Sequence, residues 1–62
     1  MLLQELVSDD NKLKAQIFEL NYIHKVIFFN DNKVVEIKEF KGKSIHYIRD
    51  YCENYVMRIP QV

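Results

Sequence analysis

The sequence predicts an α+β fold, an antiparallel β-meander of two to four strands packed on a C-terminal α-helix in the order ββββα. Three observations carry this. Two runs rich in β-branched and aromatic residues flank the turn-forming Asn30-Asp31-Asn32. A stripe of apolar residues recurs at three- and four-residue steps from Ile45 to Ile59. A second polar cluster, Ser8-Asp9-Asp10-Asn11, separates two further runs near the N-terminus.

In chain order, residues 1–21 admit two readings. In the first, Asp9 caps a helix with Leu13, Ile17 and Leu20 along one side, giving αββα as the alternative fold. In the second, residues 8–11 turn the chain between strands 2–7 and 12–20, supported by the alternation of Lys12, Leu13, Lys14, Ala15, Gln16 and Ile17. The meander is favoured, because two strands alone are hardly stable whereas four under a helix form a complete layer. Asp10-Asn11-Lys12 is echoed by Asp31-Asn32-Lys33, which predicts two turns made alike.

The central hairpin joins strands 24–29 and 33–40. With Asp31-Asn32 as a two-residue loop, Phe29 pairs with Val34, Phe28 with Val35, Ile27 with Glu36 and Val26 with Ile37. Alternation then puts Val26, Phe28, Val35 and Ile37 on one face, and Ile27, Phe29, Val34 and Phe40 on the other among Lys25, Glu36 and Lys38. The final element opens after Lys41-Gly42-Lys43, with Ser44 as N-cap. Ile45, Ile48, Cys52, Tyr55, Val56 and Ile59 form its buried stripe, and Pro60 closes it. A neighbouring row of Tyr47, Tyr51, Asn54 and Arg58 is displaced toward solvent; it either rims the core or offers the rigid, polar-tipped area of a contact surface.

One helix covers one sheet face, so Ile27, Phe29, Val34 and Phe40 are left as an apolar patch of the kind monomers avoid. These four residues, with Tyr47, Tyr51 and Arg58, are the candidate partner-binding set. A chain of 62 residues forms a single domain, 1–62, and buries only about 60% of the surface it exposes unfolded. One cysteine gives no internal disulfide and two separated histidines give no structural zinc, so a homo-oligomer, most simply a homodimer, is expected to complete the core. The composition, 48% hydrophobic and 29% charged without an 18-residue apolar run or a signal-peptide layout, points to the cytoplasm.

Nine basic and nine acidic residues cancel, which removes the electrostatic footprint of a dedicated nucleic-acid binder. The local group Lys38, Lys41 and Lys43 beside a helix N-terminus keeps a nucleic-acid-binding regulator as the alternative function. Catalysis is not expected. His24 opens a strand, His46 sits on the first helical turn near Asp50, Cys52 points into the stripe, and a single glycine leaves little freedom to cradle a phosphate or an oxyanion. No cofactor or metal is implied.

Gly42-Lys43-Ser44 followed by Ile48, Cys52 and Val56 resembles the second half of double-stranded RNA-binding domains. Ile45, His46 and Tyr47 stand where those domains carry phosphate-gripping lysines, so RNA binding does not follow from the likeness. The same connection with Tyr47, Asp50, Glu53-Asn54 and Tyr55 resembles the closing helix of small accessory proteins of T4-like tailed phages, over about the C-terminal half. That resemblance implies a protein that binds and redirects a host enzyme or complex, as an inhibitor or adaptor.

Overall fold

The computed structural model describes residues 1–58. Four strands, β1 (Leu2–Val7), β2 (Leu13–Leu20), β3 (Ile23–Asn30) and β4 (Lys33–Phe40), form one antiparallel sheet in the order β1-β2-β3-β4, and helix α1 (Ile45–Val56) follows. The N-terminal third is therefore a hairpin, and the helical alternative for it is set aside. Alternation decided the matter: Leu13, Ala15 and Ile17 on β2 are buried one residue apart, a spacing no helix face accommodates.

The turns differ from one another. Asp31 and Asn32 both lie at positive φ (56° and 66°), which a two-residue hairpin loop of type I′ requires. Residues 8–12 form a longer loop instead. There the Ser8 hydroxyl donates to Asp10 Oδ1 (2.7 Å) and accepts from the Leu13 N–H (2.9 Å), while Asn11 alone takes the left-handed conformation. The expectation that the two Asp-Asn turns are made alike is thus corrected. The β2–β3 loop is a second two-residue turn, with Asn21 and Tyr22 at φ 53° and 66°.

The β3–β4 register holds only next to its loop. Phe29 pairs with Val34 as predicted, but a bulge then makes Val35 the extra residue. Beyond it, Phe28 faces Glu36, Ile27 faces Ile37 and Val26 faces Lys38. Because side chains alternate with a period of two, one extra residue reverses the face of everything after it. Phe40, expected on the open face, is buried beneath the helix at 6% exposure; Ile37, expected in the core, stands open at 57%. A second bulge at Leu3 lies in β1, between Leu2 paired with Phe18 and Gln4 paired with Ile17.

The core lies between the sheet and α1: Leu13, Ala15 and Ile17 from β2, Val26 and Phe28 from β3, Phe40 from β4, and Ile48, Cys52 and Val56 from the helix. The Ser44 hydroxyl caps α1 by accepting the Tyr47 N–H at 3.2 Å, as expected. The helix ends at Val56, before Pro60; Met57 donates to the Glu53 carbonyl (2.9 Å) and Arg58 turns left-handed at φ 60°. Ile59 and Pro60 lie outside the described residues, so their predicted roles are not placed. Among the described residues no helix is long and apolar enough to cross a membrane.

Candidate functional site

The face of the sheet turned away from α1 is a regular grid, set by the strand registers. Its first row is Val7, Lys14, Phe29 and Val34; the second is Glu5, Gln16, Ile27 and Ile37; the third is Leu2, Phe18, Lys25 and Glu39. Leu20 and Ile23 continue it toward the β2–β3 turn. Among the described residues nothing covers this face. Val34 is 54% exposed and Leu20 72%, while Ile27 and Phe29 are half-buried by their neighbours. A shallow apolar depression of about 290 Å³ lies among Met1, Phe18, Leu20, Lys25 and Ile27.

Lys14, Gln16 and Glu5 on the grid have local partners. Lys14 Nζ sits 4.6 Å from the centre of the Phe29 ring, a cation–π contact that keeps its stem flat on the sheet. Gln16 Nε2 donates to Glu5 Oε2 at 2.7 Å. Lys25 and Glu39 are cross-strand neighbours. Two ammonium groups on inner strands and two carboxylates on outer strands leave the face formally neutral.

Of the sequence-predicted partner-binding residues, Ile27, Phe29 and Val34 are together on this face. Phe40 is not; its ring packs against Tyr51 (5.5 Å between centroids) and Tyr47 (6.2 Å) on the opposite side. The structure adds Leu2, Val7, Phe18, Leu20 and Ile37. For Leu2, Val7 and Ile37 the signal was the pair of apolar doublets, Leu2-Leu3 and Val34-Val35, each of which marks a bulge, and for Phe18 and Leu20 it was plain alternation with Leu13, Ala15 and Ile17.

The helix row does not form one solvent ridge. Tyr51 is half-buried, its ring against Phe28 (5.9 Å) and Phe40, and its hydroxyl accepts from Lys38 Nζ at 3.2 Å. Tyr47 and Arg58 are exposed. Arg58 turns away to pair with Asp10 Oδ2 at 2.8 Å, tying the end of α1 to the β1–β2 loop. Tyr55, read as part of the core stripe, donates its hydroxyl to the Phe29 carbonyl at 2.9 Å, beside the bulge, and partial burial raises its pKa. The helix thereby anchors the point at which β4 changes phase.

The alternative lysines are engaged on the helix side. Lys38 lies over the Tyr51 ring (5.0 Å), and the Tyr51 hydroxyl, as acceptor, raises its pKa above the ordinary lysine value. Lys43 lies over Tyr47 at 5.0 Å, and Lys41 is exposed in the connection. His24 faces Glu19 at 3.4 Å on the helix side of the sheet, His46 is exposed, and burial pushes the Cys52 thiol up to about 11. A thiol so placed is a poor nucleophile at neutral pH.

Against known proteins, no family model, curated protein or solved structure matches the chain.

Proposed function

We propose that this chain is a non-enzymatic protein-binding module, an inhibitor or adaptor that meets its partner through the open face of the sheet. The observation that carries the reading is the grid itself. Apolar side chains from all four strands stand together where a two-layer protein ordinarily keeps polar ones. Half-buried aromatics among them, Phe18 and Phe29, are the anchors such an interface needs. In this reading the protein works in the cytoplasm on a host or partner protein, in the manner of the small phage accessory proteins its C-terminal half resembles.

Two variants on exposed or half-exposed positions, Phe29→Asp and Ile37→Glu, test it. Each is immobilised beside the wild type, shown to be folded by circular dichroism, and exposed to lysate of the native host. Proteins retained by the wild type and lost by both variants are expected. Identical capture by all three overturns the assignment of the sheet face. The nucleic-acid alternative through Lys38, Lys41 and Lys43 has a weaker basis, since two of the three ammonium groups already lie over tyrosine rings. Salt-sensitive binding of random duplex at low ionic strength would restore it.

A further inference from the structure

We propose that the occupant of the β3–β4 half of the open face is a second copy of this chain, related by a two-fold axis that runs parallel to the strands between β3 and β4. The inference rests on the docking reading above and names its partner.

Joining edge to edge is disfavoured first. Both edge strands, β1 and β4, carry a bulge, at Leu3 and at Val35, and bulged edges make poor templates for extending a sheet into a neighbour. Stacking face to face is what remains. In a two-fold contact the same patch meets itself, so the patch has to be complementary to its own rotated image.

The register decides where the axis can lie. On the open face Phe29 stands beside Val34, Ile27 beside Ile37 and Lys25 beside Glu39, each pair across β3 and β4. An axis between these strands exchanges them. Every residue of one copy then lies over its own cross-strand neighbour in the other: Phe29 on Val34, Ile27 on Ile37, Lys25 on Glu39. The apolar rows meet apolar rows, and two reciprocal Lys–Glu pairs close one end.

An axis between β2 and β3 does worse. It lays Lys14 on Phe29, Lys25 on Phe18, Glu39 on Leu2 and Glu5 on Ile37, so all four charges meet apolar groups. An axis between β1 and β2 opposes Val7 to Lys14 and pairs no opposite charges. The roughly 30° between aligned packed sheets displaces rows little over two strands. The result is a four-layer helix–sheet–sheet–helix dimer. Half a sheet is smaller than the roughly 800 Å² per partner of a standard interface, so the dimer is expected to be weak and to dissociate on dilution in the micromolar range.

The test is sedimentation of the full chain from low micromolar to near-millimolar concentration, with Lys25→Glu, Glu39→Lys, their equimolar mixture and Phe29→Asp. Both charge variants sit at exposed positions, and their folding is checked by circular dichroism. The wild type is expected to show a reversible monomer–dimer equilibrium. Each charge variant alone, now opposing like charges, is expected to associate at least about tenfold more weakly. The mixture is expected to recover wild-type association, because each chain supplies the charge the other lacks.

A wild type monomeric throughout, charge variants that dimerise unchanged, or a mixture no tighter than its components overturns the proposal. If the wild type is monomeric while Phe29→Asp still loses captured host proteins, only the second copy is removed. If neither is seen, the docking reading falls as well.

Discussion

The two faces of this sheet are built from the same strands and reach opposite states. Toward α1, Ile17, Val26 and Phe28 are almost fully buried and locked against Ile48 and Cys52. Away from α1, Ile27 and Phe29 alternate with Val26 and Phe28 along β3, Ile37 lies beside Ile27 on β4, and all three have water for a neighbour. Apolar character alone therefore does not tell core from contact surface here. The period-two alternation, the position of the bulges and the single covering helix do.

Truncating one residue on each face should have very unequal effects. Ile48→Ala opens a cavity in a packed core and is expected to cost about 3 kcal/mol, a large part of the stability of so small a domain. Ile37→Ala removes side-chain atoms already half in solvent and is expected to cost less than about 1 kcal/mol. Urea titrations of the two variants measure both; equal losses would mean the open face is covered after all.

The hydroxyl that anchors the bulge comes next. Tyr55→Phe removes the bond to the Phe29 carbonyl and is expected to cost about 1 kcal/mol, read in the same titrations. Deleting Val35 is a subtler probe, because the ladder on either side of it already pairs Phe29 with Val34 and Phe28 with Glu36. The deletion is expected to leave a folded chain with Ile37 still open and Phe40 still buried, a smaller loss than that of Ile48→Ala. Solvent exposure of the Ile37 methyl by NMR checks it.

The smallest effect concerns acid. The Ser8 hydroxyl, the Lys12 N–H and the Arg58 guanidinium hold the Asp10 carboxyl at about 2, below its ordinary 3.8. A carboxylate lowered in the folded state stabilises it above its unfolded pKa, and that contribution is lost as pH falls from about 4 toward 2. Asp10→Asn is expected to flatten the dependence of melting temperature on pH in this window, with little change in slope above it.

Much of this is legible in the sequence. The Asp31-Asn32 loop, the Ser44 cap, the stripe of Ile48, Cys52 and Val56, and the open placement of Ile27, Phe29 and Val34 all follow from local chemistry and spacing. What escaped depends on contacts distant in sequence. The bulge at Val35 sends Phe40 under the helix, where Tyr47 and Tyr51 receive its ring, and brings Ile37 outward. Tyr51 likewise belongs to the core margin because Phe28 and Lys38 flank it, which no helical wheel shows. Tyr22 in a left-handed turn position, 93% exposed, escaped for another reason: glycine or asparagine is the residue ordinarily read as the signal there.

If this molecule is touched on the uncovered face of its sheet, methyl NMR on isoleucine- and valine-labelled protein reads it out, as concentration rises and then as captured host protein is added. Shift changes are expected on Ile27, Ile37 and Val34, with Ile17, Ile48 and Val26 still. Changes confined to the helix side, or none on the open-face methyls while association is seen by sedimentation, would contradict it.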